Sequence, residues 1–354
     1  MKLLVRATNW VGDAVMSIPA LEAIREARPQ AEICILARPW VADLYRGQPF
    51  AGRIITFDHT GAHRGIFGVE RLARELRAER FDAAILLQNA FEAAWIVHRA
   101  GIAERIGYAR DARGWLLTRA VPVPAKGEIP AHERFYYLEL LRRAGWLDRL
   151  PDANDIRLHV PAEARAAAEE KLIAAGARPG AVRIALAPGA AFGSAKCWMP
   201  ERFAEVASRL VERFDADVIL FGAAAEREIA ARIAAEMRGR KPLDLVGQTR
   251  IGELAALFAA CHLFVGNDSG AMHVAAAVGL RGVAIFGPTD PQGTSPVSPQ
   301  FHLVQRKVEC SPCFLRHCPI DHRCMTRVDA GSVLEAAQLL LQRNARAEGK
   351  DPTA

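Results

Sequence analysis

Short apolar runs alternate with stretches whose apolar residues recur every three or four positions, almost from one end of the chain to the other. In the first half the runs at residues 2–6, 32–37, 53–57 and 81–88 are predicted strands, while 14–27, 41–46, 68–80 and 132–144 carry the helical period. In the second half strands are predicted at 183–187, 217–221, 263–265 and 282–286. Helices are predicted there at 162–175, 201–214, 224–237, 252–260, 271–278 and 332–343. Strand and helix in strict alternation signify parallel sheets built from βαβ units, because strands covered on both faces read as continuous apolar runs. Residues 146–161 interrupt the alternation with prolines, aspartates and an asparagine, and read as a connection between domains. The expected class is therefore α/β, with two Rossmann-like domains at 1–160 and 161–345, parallel sheets facing a central cleft, and a polar tail at 346–354.

Composition agrees with this division. The 354 residues exceed what one core serves, and 51% hydrophobic against 24% charged residues is ordinary for a globular chain. A formal net charge of +6 favours anionic partners. The basic residues are scattered among acidic ones, as in residues 70–80, with no lysine block or aromatic-basic stripe, which argues against nucleic acid. The first residues turn polar too soon for a signal peptide, and no window is long and apolar enough to span a membrane. A cytoplasmic protein is expected, with any membrane contact peripheral.

The chemistry should lie in the loops that follow strands, where α/β sheets bind ligands. Gly266-Asn267-Asp268-Ser269-Gly270-Ala271-Met272-His273 reads as a strand end, a polar turn and a helix start, with side chains able to cap the helix and free amides able to meet an anion. His273 falls one turn into that helix, either on the anion-binding face or simply packed. Pro188 to Trp198 holds Gly189, Gly193, Ser194 and Lys196; its small residues permit close approach to a diphosphate that Lys196 could neutralise, or Lys196 is solvated. Asp13, after Gly12, is either a helix-start carboxylate favoured by the dipole or a base presented to an incoming hydroxyl. Asp215-Ala216-Asp217 precedes a strand and reads as a surface turn rather than a metal site.

Of the seven cysteines, Cys310-x2-Cys313-x4-Cys318-x5-Cys324 form a compact cluster with His317 and His322 interleaved. The readings are a structural zinc ion held by the four thiolates, buried thiols, or redox-dependent disulfides. Four thiolates would leave a metal no open position for catalysis.

Asn9-Trp10-Val11-Gly12-Asp13-Ala14-Val15-Met16-Ser17, Pro188-Gly189 with Ser194-Ala195-Lys196-Cys197-Trp198, Asn267-Asp268-Ser269-Gly270 with Met272-His273, and Gly287-Pro288-Thr289-Asp290-Pro291 together resemble glycosyltransferase family 9, the bacterial lipopolysaccharide heptosyltransferases. The resemblance spans nearly the whole chain and implies the GT-B fold, with an amino-terminal acceptor-side domain and a carboxyl-terminal domain that binds the ADP-sugar. It implies inverting transfer of L-glycero-D-manno-heptose from ADP-heptose to the first heptose of the lipid A inner core, at the inner face of the cytoplasmic membrane, with no catalytic cofactor. By motif position Asp13 becomes the base and Lys196 the diphosphate ligand. Gly189, Ser194, Glu226, Asp268, Ser269, Gly270 and His273 line the donor pocket, while Asn9, Trp10 and Gly12 lie on the acceptor side. The cysteine cluster belongs to only part of the family and could instead stiffen a loop near the acceptor. Acceptor choice is expected in residues 60–67 and 108–115, whose His63, Arg64, Arg110 and Arg113 either meet acidic groups or form a solvated rim. A relative acting on another nucleotide sugar or core acceptor stays open, as does a non-catalytic nucleotide-binding module. A dinucleotide-dependent dehydrogenase is disfavoured, since neither first strand is followed by Gly-x-Gly-x-x-Gly.

Overall fold

In a computed structural model that describes residues 1–347, the chain forms two compact units, Met1–His159 and a second beginning at Val160. The polar tail expected at 346–354 falls, from residue 348 on, outside the described residues; 346 and 347 belong to the last helix.

The first unit runs β1 (Lys2–Arg6), α1 (Val11–Met16), α2 (Ile18–Ala27), β2 (Glu32–Ala37), α3 (Pro39–Tyr45), β3 (Arg53–Thr56), α4 (Gly65–Ala78), β4 (Ala83–Leu86), α5 (Phe91–Arg99), β5 (Glu104–Tyr108), β6 (Arg119–Val121) and α6 (Glu133–Arg143). Its strands are parallel in the order β3-β2-β1-β4-β5-β6, with Leu4 between Cys34 and Ala84. The order reverses at β1 and β4, the switch point beyond which open α/β sheets hold ligands. One face of the sheet is closed by Leu72 and Leu76 of α4 and by Ala94, Ile96 and Val97 of α5, packed on Leu4, Leu36 and Leu86.

The second unit repeats the plan as α7 (Ala162–Ala174), β7 (Arg183–Ala187), α8 (Pro200–Phe214), β8 (Asp217–Leu220), α9 (Arg227–Glu236), β9 (Leu243–Asp244), α10 (Ile251–Ala259), β10 (Leu263–Asn267), α11 (Gly270–Ala277), β11 (Gly282–Phe286), α12 (Pro291–Thr294), β12 (Phe301–Gln305), α13 (Arg323–Thr326) and α14 (Ala330–Ala347). The parallel order β12-β11-β10-β7-β8-β9 puts its switch point between β7 and β10. All five residues of β7, β10 and β11 are buried, which is why they read as unbroken apolar runs. Phe203, Val206, Ala207 and Leu210 present one apolar stripe of α8 to this sheet, beside Val333, Ala337 and Leu341 of α14.

The strands absent from the sequence reading are β5, β6, β9 and β12: β5 lies inside the first sheet but opens on the charged Glu104 and Arg105, and the other three are weakly apolar. β6 and β9 expose most of their side chains at or near a sheet margin, and β12 is an edge strand of mixed burial. Such strands need no continuous apolar run. The helix expected at 14–27 is two helices. Pro19 opens the second where it has no intrahelical amide to lose, and Ser17 Oγ donates to the Ala14 carbonyl at 2.9 Å. The surface-turn reading of Asp215-Ala216-Asp217 holds for Asp215 but not for Asp217. Asp217 lies buried at the start of β8, accepting from the Arg178 amide at 2.7 Å and its Nε at 2.9 Å. Among the described residues no helix is long and apolar enough to cross a membrane.

Candidate active site

In the first unit the chain leaves β1 at Arg6 and reaches α1 through a segment pinned at Asn9. The Asn9 amide donates to Gln88 Oε1 at 3.1 Å, its Oδ1 accepts from Arg6 Nη2 at 2.8 Å, and its carbonyl accepts from Trp40 Nε1 at 2.8 Å. Trp10 is the capping residue of α1 and is exposed; Gly12 and Asp13 follow in the first turn. The Trp10 side chain makes no cap bond, and Asp13 sets a carboxylate in the first turn of α1, at the positive end of the helix dipole. Burial, and then the charge of Asp13, holds the Glu133 carboxyl above the usual glutamate range. Tyr45 and Tyr137 are kept protonated by burial and, less strongly, by the same charge.

Arg6 and Arg38, at the ends of β1 and β2, flank the Phe57 ring at 5.6 and 4.1 Å from its centroid. Burial and the Arg38 charge lower Arg6 to about 9. Arg38 is held by Glu92 at 3.0 Å. This buried pair stiffens the strand ends on which the Asn9 segment sits.

In the second unit four loops converge beyond the carboxyl ends of adjacent strands. Lys196 Nζ lies 2.6 Å from Asp268 Oδ2, which also accepts from Thr289 Oγ1 at 2.5 Å. Asn267, wholly buried, joins two of the loops: its Oδ1 accepts from the Trp198 amide at 3.1 Å and its Nδ2 donates to the Pro188 carbonyl at 2.6 Å. Glu226 Oε2 accepts from the Ala223 amide at 2.7 Å, and burial raises this carboxyl. A Cβ on Gly189 would fall 1.9 Å from the Glu226 carboxyl, and one on Gly222 would fall 2.5 Å from its Oε2, so both glycines are needed where the carboxylate sits.

Ser269 begins α11 as its capping residue without a side-chain cap bond, and its buried Oγ has no hydrogen-bond partner among the described residues. Gly270 opens the helix, whose first amides are those suited to an anion. His273 is buried on the same helix. A hollow of ≈ 1190 Å³, lined by charged residues of α8 such as Glu205 and Arg209, includes none of these loops.

The family model described as glycosyltransferase family 9 (heptosyltransferase) matches residues 69–323. The chain belongs to glycosyltransferase family 9. It is 32% identical over 320 residues to lipooligosaccharide heptosyltransferase 2 of Haemophilus ducreyi and 30% identical over 312 residues to lipopolysaccharide heptosyltransferase 2 of Escherichia coli, each alignment covering 86% of this chain and 88% of the relative. Among solved structures, the E. coli ADP-heptose lps heptosyltransferase II superposes with a TM-score of 0.82 at 28% identity, over 97% of this chain and 99% of that one. The two parallel sheets are thus those of a GT-B glycosyltransferase, and the protein is an enzyme of that class.

Within this family frame several expectations change. Asn267, Asp268 and Ser269 do not cap α11 through their side chains: the first is in β10 and braces loops, and the second is committed to Lys196 and Thr289. His63 and Arg113 are no solvated rim. His63 Nδ1 accepts from the Asp58 amide at 3.1 Å and its Nε2 faces Glu75 at 3.1 Å. Arg113 is fully buried, donating to the Tyr108 carbonyl and Asn89 Oδ1, each at 3.0 Å. Arg64 and Arg110 remain exposed.

Cys310, Cys313, Cys318 and Cys324 come near one another, since burial and then the other three push the Cys324 thiol up to about 11. Among the described residues, however, no three His, Cys, Asp or Glu side chains are gathered as a metal ion requires, and all seven cysteines are free thiols. The segment they occupy braces the loops that follow β7 and β11 in the second unit. Cys313 and Phe314 amides donate to the Pro288 carbonyl at 3.0 and 2.9 Å, His317 Nδ1 lies 3.0 Å from Ser194 Oγ, and His322 Nε2 lies 2.7 Å from the Ala195 carbonyl.

Thr289, Asn267, Gly222 and Glu133 were not among the residues chosen as site candidates. Thr289 and Asn267 stood inside recognised motifs; Gly222 and Glu133 carried no signal until the fold brought them to Glu226 and Asp13.

Proposed function

We propose that the protein catalyses the second heptose addition of the lipopolysaccharide inner core, moving L-glycero-D-manno-heptose from ADP-heptose to the first heptose with inversion. The observation that carries this reading is the Lys196–Asp268 pair at 2.6 Å beside the unpartnered Ser269 Oγ at the start of α11. A cation, a free hydroxyl and helix amides are what a sugar diphosphate needs. Relatives named heptosyltransferase 2 at 30 to 32% identity support the choice of donor and acceptor.

In this mechanism Asp13 takes the proton of the acceptor hydroxyl as that oxygen bonds to the anomeric carbon. The bond from that carbon to the diphosphate oxygen breaks, and its electron pair leaves with ADP. Lys196 and the first amides of α11 meet the leaving charge, with Asp268 and Thr289 holding the ammonium in place. Gly189, Ser194, Gly270 and Ser269 approach the donor closely, Glu226 takes the adenosine, and His273 supports the pocket from within α11. Asn9, Trp10 and Gly12 present the acceptor side, and the enzyme works at the inner face of the cytoplasmic membrane in peripheral contact with it.

A panel of nucleotide sugars offered with truncated lipid A core acceptors, read by mass, tests the reading. A gain of one heptose with ADP-heptose alone is expected. Transfer from another donor, or onto an acceptor lacking the first heptose, would replace it.

A further inference from the structure

One face of the first unit carries far more exposed apolar surface than its core requires. Ile66 and Phe67, at the first turn of α4, are 80% and 90% exposed, and Trp115 is 67% exposed. They are joined by other aromatic groups. Trp40 meets His59 with ring centroids 5.6 Å apart, and His59 with Ile66, Val69, Phe91 and Trp95 lines a cavity of ≈ 450 Å³. Phe91 continues the row to Trp95 at 6.2 Å and to Trp115 at 6.3 Å. A contiguous apolar patch of this kind marks an interaction surface rather than chance exposure.

The charges around it select the partner. The nearby acids are engaged: Glu70 with Arg99 at 2.8 Å, Glu75 with His63 at 3.1 Å, Glu92 with Arg38 at 3.0 Å, Asp111 with Arg110 at 3.6 Å, and Asp58 with the Gly61 and Ala62 amides at 3.0 and 3.1 Å. Arg64, Arg71 and Arg74 are exposed and form no ion pair among the described residues. Phe67, Arg71 and Arg74 follow one another at helical spacing along one side of α4, while Leu72 and Leu76 are buried. An apolar corner with bulky aromatics, rimmed by unpaired guanidinium groups, suits the headgroup–acyl boundary of an anionic bilayer, where aromatic rings partition and each arginine gains from surface charge.

We propose that this face, from Trp40 through Ile66 and Phe67 to Trp115, is where the enzyme docks on an anionic membrane, with Ile66 and Phe67 inserted between headgroups. The inference rests on the proposed lipid-borne acceptor and names the surface that meets its membrane. It also accounts for Ile66, Phe67 and Trp115, which none of the active-site contacts employ.

Co-sedimentation of the full chain with vesicles tests it. The wild type should pellet with vesicles of phosphatidylglycerol and phosphatidylethanolamine, and much less with phosphatidylcholine alone. Ile66→Ser with Phe67→Ser, and separately Arg71→Gln with Arg74→Gln, should each weaken partitioning by about tenfold or more. Unchanged melting temperature and ADP-heptose affinity would show that these variants remain folded. Wild-type protein that ignores anionic vesicles, or variants that pellet like the wild type, would overturn the proposal. So would a wild-type dimer that the Ile66/Phe67 variant converts to a monomer, because a second copy would then cover the face. No sugar nucleotide enters the vesicle measurement, so an error in the assigned reaction, visible in the mass assay, leaves this result independent.

Discussion

Lys196 Nζ and Asp268 Oδ2 lie 2.6 Å apart with both side chains almost wholly withdrawn from solvent, joining two loops separated by 72 residues of sequence. The pair fixes an ammonium beside the first turn of α11, and Thr289 fixes the carboxylate in turn. A cation held this way is preorganised for a diphosphate and needs no reorientation as charge develops. Lys196→Ala should therefore lower turnover about 10²- to 10³-fold, by analogy with loss of one oxyanion donor. Lys196→Arg should not restore it, because a planar fork cannot replace a point charge in the same space. Asp268→Ala leaves a buried ammonium unpaired and should cost about 3–5 kcal/mol of stability in denaturant melts, part of which the double variant recovers. A stable Asp268→Ala protein would show that the pair is not structurally coupled.

Asp13 should behave differently. It stands at the start of α1 in the first unit, whereas the residues proposed to hold the donor belong to the second. Asp13→Ala should lose about 10²- to 10⁴-fold in transfer, the range of a general base, while calorimetry finds ADP-heptose affinity unchanged. Near-normal turnover would remove the base assignment.

These two residues also show how far the sequence could be read. The strand-helix alternation located both sheets, since buried parallel strands such as 183–187 and 282–286 leave an unmistakable apolar signature. It also placed Asp13 and Lys196 after strands. What a run of residues cannot carry is a partner brought from elsewhere. Lys196 looked free until β10 set Asp268 against it, and Arg113 looked like a surface cation until the fold buried it on Tyr108 and Asn89. Asn267 looked like a capping residue because polar side chains at a strand end usually are; here it takes a core position by satisfying both its amide and its carbonyl oxygen.

Glu133 offers a test through pH. Burial first, and then the Asp13 charge, raise its carboxyl in the folded state. The folded protein thus holds this proton more tightly than the unfolded chain, so the group's contribution to stability falls as pH rises past the ordinary glutamate value of about 4.3. Glu133→Gln should melt higher than the wild type at neutral pH, and the difference should shrink as pH is lowered through that value. A constant difference across the range would mean that titration of Glu133 is not its source.

Gly189 and Glu226 should prove to be one device. A methyl group at Gly189 would lie 1.9 Å from the Glu226 carboxyl, so Gly189→Ala must push that carboxylate out of its position. If Glu226 contacts the adenosine of the donor, moving it and deleting it should have nearly the same effect: a higher KM for ADP-heptose with a smaller change in kcat. The penalties of Gly189→Ala and Glu226→Ala should then be strongly non-additive, with the double variant little worse than either single one, since neighbours that act through one group couple. Initial rates for the four proteins over a range of donor concentrations measure this directly. Additive penalties would mean that Gly189 meets the donor through its own backbone, and that its closeness to Glu226 is incidental to binding.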